Sequence, residues 1–275
     1  MRCHLVFGVS SPLQAYRTQV FSYECYSPKT TFCLVGDESA RPEAHIDTWR
    51  HQHPDFEVKV WGNDDWKEGS WVNKKHMDRI ATMDRGLAGV ADLMRWEILL
   101  TEGGFALDAD SVCLSRLPEW IFNCNLFALW ENEHCRPGLI ANGYVGSVPN
   151  HEIIRTVVNN INDIPDIRRR FVWKKLRYKK RKVWQTTGPV PFTDAFFSSS
   201  SRDATILPSH FFLPLHHSGV AYTGDGPVYS CEFFAGTKSK YNEMTETDPA
   251  KLVQATRQRL ADETGNKWRG HTTPE

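Results

Sequence analysis

The sequence predicts an α/β protein in which helices flank a mostly parallel central sheet. Helical and strand-like runs alternate through the first half of the chain, and Gly, Pro, Asn or Asp residues separate them. The hydrophobic content of 40% and the charged content of 24% are ordinary for a globular protein with a buried core. The 275 residues fit one domain, predicted over 1–265 and followed by a polar tail over 266–275.

The individual elements follow from the spacing of apolar residues. Short apolar or alternating runs that end at turn residues predict strands over 5–9, 30–35, 56–61, 105–107, 126–130 and 139–145. Longer runs with apolar residues three or four apart predict helices over 13–26, 42–53, 86–100 and 150–161.

Charge and cysteine content exclude some classes of protein. The formal net charge is zero, so the chain as a whole has no strong field to attract nucleic acid or a membrane. The seven cysteines show no C-x-x-C pairs, which argues against a structural zinc site or a disulfide framework. The first apolar run stops at Gly8, too early for a signal-peptide core or a membrane span. We therefore expect a cytoplasmic protein, with peripheral docking on a membrane as the alternative.

The acidic pair Asp108 and Asp110 is the strongest functional signal. Two carboxylates two residues apart, directly after a buried strand, can converge on one hard cation, and such a cation can neutralise a diphosphate. A D-x-D pattern alone occurs about once by chance in a chain of this length, and a solvated turn is the ordinary alternative. Its position favours a site, because α/β proteins bind ligands at the carboxyl ends of their strands.

The helix before the pair carries Asp92 and Arg95 on one face. Arg95 offers a planar donor fork for phosphate or sugar oxygens, and Asp92 can accept hydrogen bonds from sugar hydroxyls. The alternative is a local surface ion pair. Gly103 and Gly104 follow this helix and would allow a close approach of backbone to a ligand.

The segment A-D-L-M-R-W-E-I-L-L-T-E-G-G-F-A-L-D-A-D-S-V resembles the signature of the D-x-D glycosyltransferases of family 32, which include yeast-type α-mannosyltransferases and bacterial capsular polysaccharide transferases. The matching positions are Ala88 or Ala91, Asp92, Arg95, Leu99, Gly103, Gly104, Asp108 and Asp110. Weaker similarity extends over roughly 4–238 and includes Trp49, Asn142-Gly143 and Thr187-Gly188-Pro189.

The resemblance implies a GT-A-like fold, transfer of a sugar from a UDP- or GDP-sugar with retention of configuration, and Mn²⁺ or Mg²⁺ as cofactor. By position, Asp110 would bind the metal directly and Asp108 would reach the metal or the ribose. Asp92 and Arg95 would hold the sugar hydroxyls and the donor phosphate, and Asn142 would line the donor site. Expected acceptors are a glycan, a lipid-linked saccharide or a polyanion.

The chain departs from the family where many members read H-x-x-x-G-S-W. Glu232 stands in the histidine position. A carboxylate is compatible with a hard cation, so we predict Glu232 as a third metal ligand, with a surface position as the alternative.

The segment L-D-A-D-S-V also fits a phosphatase motif, D-x-D-x-[TV], in which Asp108 would be the nucleophile. That motif normally ends the first strand of its domain, whereas roughly a hundred residues precede Asp108. A phosphatase with Asp108 as its nucleophile is therefore the alternative function.

A strongly basic segment has ten Lys or Arg residues and no acidic residue over 168–182. We predict a basic helical insertion over about 164–184. A solvated surface helix is one interpretation. Contact with an anionic membrane, a polyanionic acceptor or nucleic acid, including glycosylation of DNA, is the other.

Overall fold

The computed structural model describes residues 29–172, 177–180, 182–238, 244 and 246–265. The strand predicted over 5–9, the helix predicted over 13–26 and the predicted tail over 266–275 lie outside these residues. Within them, no helix is long and apolar enough to span a bilayer.

The strands are β1 Lys29–Cys33, β2 Glu57–Trp61, β3 Gly104–Leu107, β4 Ser111–Cys113, β5 Leu126–Asn132, β6 Arg136–Ile140, β7 Tyr144–Ser147, β8 Arg169–Val172, β9 Arg177–Lys180, β10 Ala204–Leu207 and β11 Ser230–Glu232. The helices are α1 Glu43–Gln52, α2 Asn63–Glu68, α3 Lys74–Ile80, α4 Gly86–Thr101, α5 Glu152–Asn162, α6 Val183–Thr186, α7 Pro189–Ser198, α8 Ala235–Lys238 and α9 Pro249–Thr264. Short 3-10 helices cover Glu38–Ala40, Glu119–Phe122 and Ser209–Phe211.

Among the described residues, the central sheet has seven strands in the order β10-β5-β7-β3-β1-β2, with β6 paired to β5. Strand β1 runs parallel to β2 and β3, and β10 runs parallel to β5. Strand β7 lies antiparallel between β3 and β5, so β2, β1, β3, β5 and β10 all point the same way. The predicted α/β class with a mostly parallel sheet is confirmed.

Alternating side chains of the buried strands pack on opposite faces of the sheet. On one face, Ala106 of β3 joins a core formed mainly with α3, α4, α5 and α7. On the other face, its neighbours Phe105 and Leu107 pack with Trp49 of α1. Because helices and loops cover both faces, β3 consists entirely of buried residues. This strand delivers the acidic pair to the edge of the sheet.

Strands β4 and β11 form a separate antiparallel pair, in which Ser111 faces Glu232 and Val112 faces Cys231. Val112 and Cys231 join a third core with Leu252 and Leu260 of α9. The pair therefore anchors the C-terminal part of the described chain directly beside the acidic motif.

Two sequence predictions need correction. The single strand predicted over 139–145 is two strands, β6 and β7, separated by Ala141, Asn142 and Gly143. Both strands pair antiparallel with β5, but at different residues: β7 pairs with Leu126 and Phe127 and also with β3, whereas β6 pairs with Trp130 and Asn132.

The basic helical insertion predicted over about 164–184 is wrong. Strands β8 and β9 pair antiparallel, with Phe171 opposite Tyr178, and the one helix that begins in the described part of 164–184 is the short α6. Aromatic and β-branched residues favour strands, and Phe171, Val172 and Tyr178 all lie in the hairpin. Charge does not decide between helix and strand, because the register places Arg169 directly opposite Lys180 and like charges in that position are destabilising too.

Candidate active site

Three carboxylates converge at the carboxyl end of β3. Oxygens of Asp108, Asp110 and Glu232 all lie within 4.8 Å of one another. Asp110 and Glu232 are 4% and 8% exposed, whereas the side chain of Asp108 remains 32% exposed. The cluster thus has two buried members and one that faces the solvent.

Backbone hydrogen bonds hold Asp110 in place. Its Oδ2 accepts a hydrogen bond of 2.5 Å from the Ala235 amide, and its carbonyl accepts one of 3.1 Å from the Phe233 amide. Glu232 precedes these residues and faces Ser111 across the β4–β11 pair. The register of two short strands therefore brings Glu232 beside Asp110.

The turn between β3 and β4 is fixed from α1. The Ser111 hydroxyl donates to the carbonyl of Asp108 at 2.7 Å and accepts a hydrogen bond from Trp49 Nε1 at 3.0 Å. The Asp108 amide donates to the Gly143 carbonyl at 2.9 Å. These bonds hold the two aspartates on either side of Ala109.

Arg95 and Asp92, on α4, both contact the 141–143 segment. The Arg95 guanidinium donates to Asp108 Oδ1 and to the Asn142 carbonyl. Asp92 accepts hydrogen bonds from Asn142 Nδ2 at 2.7 Å and from the Thr187 hydroxyl at 3.0 Å. Arg95 is 3% exposed. Its two terminal nitrogens therefore position other site residues.

Burial changes the acid–base properties of the cluster. Desolvation, followed by repulsion from Asp108, raises the pKa of Asp110 to about 7. Desolvation and the charges of Asp108 and Asp110 also hold the pKa of Glu232 well above its ordinary value. Desolvation raises the pKa of Asp92, while the charge of Arg95 opposes the rise. A cation bound between the carboxylates would relieve this unfavourable concentration of negative charge.

The cluster opens into a cleft of about 990 Å³. The cleft is also lined by Asp92, Arg95 and Asn142, the three residues for which the sequence predicts a role in donor binding. Four basic residues at the edges of the hairpin line it as well, namely Arg168, Arg169, Lys180 and Lys182. The cleft therefore combines an acidic centre with a basic border.

Gly103 and Gly104 are the predicted site residues that the structure does not bring to the cleft. They lie at the start of β3, about 13 Å of strand away from Asp108. Both have positive φ, 67° and 98°, and a Cβ atom would come within 2.7 Å of Pro149 and 2.8 Å of the Lys29 carbonyl. They are glycines because the chain turns tightly there, and they do not line the cleft that holds the carboxylates.

Gly143 is a site residue that the motif alone did not single out. A Cβ atom at this position would lie 2.7 Å from Asp108 Oδ2 and 3.4 Å from Glu232 Oε2. Its sequence signal was the Asn142-Gly143 pair, although nothing in that pair indicates which carboxylates it touches.

Comparison with known proteins agrees with this site. Residues 39–126 match the family model described as glycosyltransferase sugar-binding region containing DXD motif. The chain is 24% identical over 231 residues to an initiation-specific alpha-1,6-mannosyltransferase from Schizosaccharomyces pombe, covering 69% of this chain. It spans 58% of the length of that relative.

Solved structures with similarity include the PaToxG glycosyltransferase, with 13% identity, a TM-score of 0.47 and coverage of 63% of this chain and 69% of that one. A ligand-free glycosyltransferase domain from the YGT toxin has 8% identity and a TM-score of 0.46, with coverage of 87% and 90%. An active-site mutant of LgtC has 11% identity and a TM-score of 0.45, with coverage of 90% and 98%. The match of residues 39–126 and the mannosyltransferase relative confirm the resemblance to the DXD glycosyltransferases.

Proposed function

We propose that this chain, in which residues 39–126 match the DXD sugar-binding region of glycosyltransferases, transfers a sugar from a nucleotide-diphosphate sugar with the help of a divalent cation. The observation that carries the proposal is the group of three carboxylates, Asp108, Asp110 and Glu232, at the floor of a cleft large enough for a nucleotide sugar.

The donor set fits a hard cation. All three groups offer oxygen, which Mg²⁺ and Mn²⁺ prefer. Burial, followed by the nearby charge of Asp108, raises the pKa values of Asp110 and Glu232, and a bound cation would favour their charged forms. When bound, Mn²⁺ or Mg²⁺ would stabilise the negative charge that develops on the departing nucleotide diphosphate. Asp110 and Glu232 would hold the ion, with Asp108 contributing from the exposed side.

The remaining residues position the site and the donor. Arg95 fixes the orientation of Asp108 by binding one carboxylate oxygen and leaving the other free. Asp92 lines the cleft and keeps Asn142 in place, and an acceptor oxygen of Asp92 can also receive a sugar hydroxyl. Retention of configuration, and a UDP- or GDP-sugar as donor, follow from the family resemblance and belong to the same proposal.

The test is a screen of UDP- and GDP-sugars with Mn²⁺, in which release of the nucleoside diphosphate is measured. The Asp110→Asn variant should lose about a hundredfold or more in rate, because it removes a charged metal ligand. Asp225→Asn, at an exposed aspartate away from the cleft, is the matched control and should keep its rate. Full activity in EDTA, or in the Asp110→Asn variant, would refute the proposal. The anomeric proton of the product, observed by NMR, tests retention.

The positive charge at the border of the cleft indicates the kind of acceptor. Arg168, Arg169, Lys180 and Lys182 border the cleft, so an acceptor that carries phosphate groups would be attracted to its entrance. A saccharide linked to a lipid phosphate and a nucleic acid share this chemistry. Reversing the charges of Lys180 and Lys182 should weaken binding to anionic vesicles or to DNA without changing donor hydrolysis, and wild-type binding should fall with salt. Binding to the vesicles would indicate a lipid-linked acceptor, and binding to DNA would indicate a nucleic acid acceptor.

The phosphatase alternative gains no support from the site. Asp108 Oδ1 is bound by Arg95, and β1 and β2 both precede the strand that ends at Asp108. An aspartyl-phosphate trapped on Asp108 after incubation with a phosphate ester would reverse this conclusion.

A further inference from the structure

A second group of possible metal ligands lies in the same cleft, separate from the three carboxylates. It consists of Glu131, at the end of β5, and the adjacent residues His216 and His217, and its ligand atoms all lie within 4.8 Å of one another. His216 Nε2 is 3.4 Å from Glu131 Oε1, and His217 Nε2 is 4.0 Å from the same oxygen.

A closed turn holds the two histidines. The His216 amide donates to the Val220 carbonyl at 2.8 Å, and the Gly219 amide donates to the His216 carbonyl at 2.9 Å. Leu215 and Ala221 form an antiparallel bridge just outside this turn. The backbone on both sides of the histidines is therefore fixed before any ligand binds.

The ring of His216 is oriented by its second nitrogen. Its Nδ1 lies 2.7 Å from the Ser218 hydroxyl and 3.2 Å from Cys135 Sγ, while its Nε2 faces Glu131. The side chain of His216 is completely buried. The Ser218 amide also points at Nδ1, at 3.3 Å. In the tautomer in which Nδ1 donates to the Ser218 hydroxyl, Nε2 is an acceptor and is available to an ion, as in metal-binding histidines that donate their other N–H to an oxygen.

The rings of His216 and His217 lie 4.0 Å apart, tilted by 38°. Phe234 packs against both rings, with centroid separations of 5.8 Å and 5.3 Å. Phe234 has a φ of 53°, which is uncommon for a residue other than glycine, and such backbone is found at sites where the surroundings determine the conformation. Phe234 thus limits how far the two imidazoles can move.

We propose that Glu131, His216 and His217 form a second metal site, which binds Zn²⁺ through two imidazole nitrogens and one carboxylate oxygen. Bonds of about 2.0–2.2 Å in a tetrahedral site place the ligand atoms roughly 3.4 Å apart. The separations of 3.4 Å and 4.0 Å between Glu131 Oε1 and the two imidazole nitrogens are within a small side-chain movement of that geometry.

The two sites differ in chemistry and share one cleft. Asp108, Asp110 and Glu232 offer only oxygen, whereas the second site offers nitrogen, which favours a softer ion. Glu131 and His217 line the cleft together with the carboxylates. Three protein ligands leave one position of a tetrahedral ion free, as in zinc sites that bind water or substrate. That position is available to an oxygen of a molecule in the cleft.

The experiment measures metal binding directly and does not depend on an assay of enzyme activity. The full chain is stripped of metal, and Zn²⁺ is titrated against a chromogenic chelator. Glu131→Gln and His217→Ala should each weaken Zn²⁺ binding at least tenfold, because each removes one ligand. His217 is a suitable position because its side chain is 26% exposed, so its truncation leaves the buried His216 in place. Cobalt substitution provides a second readout, since Co²⁺ bound through nitrogen in a tetrahedral site absorbs visible light.

Two controls separate this site from others. His210→Ala removes a histidine that stacks on Tyr222 outside the cluster, and it should leave Zn²⁺ affinity unchanged. Asp110→Asn should lose Mn²⁺ binding and keep Zn²⁺ binding. Equal Zn²⁺ affinity in the wild type, Glu131→Gln and His217→Ala would overturn the proposal. So would loss of Zn²⁺ in Asp110→Asn, which would assign the ion to the three carboxylates. Because the readout is binding, the result stands apart from the outcome of the transferase assay.

Discussion

Ser111 and Glu232 face each other across a two-stranded antiparallel pair, and this pairing sets a carboxylate from the C-terminal part of the chain beside Asp110. Glu232→Gln keeps the shape of the side chain and removes its charge. We expect the metal concentration for half-maximal activity to rise several-fold, and more for Mg²⁺ than for Mn²⁺, which is less strict about its ligands. Glu119→Gln, at an exposed position, is the control. An unchanged metal titration in Glu232→Gln would remove this residue from the site.

Gly143→Ala tests how closely the cluster is packed. The new methyl group would lie 2.7 Å from Asp108 Oδ2, and Asp108 cannot swing away without breaking its bond to Arg95. We therefore expect a fall in metal affinity of about tenfold, measured by calorimetric titration with Mn²⁺. Gly62→Ala is the matched control, because the nearest atom to its Cβ would be 3.7 Å away. Equal affinities in both variants would show that the packing at Gly143 does not govern the site.

Arg95→Lys keeps the positive charge and loses the planar fork that joins Asp108 to the Asn142 carbonyl. Arg95 is almost completely buried, so we expect the melting temperature to fall together with donor affinity, by an amount that corresponds to about 1–3 kcal/mol. From the sequence alone, a loss of donor binding with little change in stability would have been expected. Thermal denaturation and donor binding, measured on the same preparation, distinguish a loss of both stability and donor affinity from a loss of donor affinity alone. An unchanged melting temperature would mean that the fork is dispensable for the fold.

The pKa of Asp110, raised to about 7, predicts how stability depends on pH in metal-free protein. A group whose pKa is raised by folding contributes stability below its unfolded pKa, about 3.8, and this contribution is lost as the pH rises through about 7. Asp110→Asn cannot ionise. The test compares the melting temperatures of Asp110→Asn and the wild type in EDTA at two pH values. The difference, variant minus wild type, should be larger at pH 8 than at pH 4 by roughly several degrees. A difference between the two proteins that does not change with pH would contradict the raised pKa.

The sequence predicted most of the described elements because strong periodicity and turn residues mark them. Helix α4 and strand β3, which lead to Asp108, lie within a residue of their predicted bounds. The basic segment was predicted as a helix because its charged and aromatic residues fit both a helical and a strand period. The pairing of β8 with β9 shows that it is a pair of strands. The grouping of Asp108, Asp110 and Glu232 was predicted from family position, but the strand register that produces it is a tertiary contact that local pattern does not encode.

The role of each glycine was harder to predict, because the sequence does not show which neighbouring atoms leave no room for a side chain. Gly103 and Gly104 were assigned to the donor site and instead serve the turn into β3, while Gly143 makes the close approach to the carboxylates. Likewise, Glu131 is far in sequence from His216 and His217, so their proximity follows only from the folded chain.

The hydrogen bond from the Ala235 amide to Asp110 has a consequence for how this protein can be divided or recombined. The region that matches the family ends at residue 126, yet one strand partner of β4, one carboxylate and one backbone donor to Asp110 all come from residues 230–235. A fragment limited to the matched region would therefore carry the motif without its completed ligand set. A chimera with a relative must therefore move both segments together, so that the grafted aspartates keep the strand partner, the carboxylate and the backbone donor that complete their surroundings.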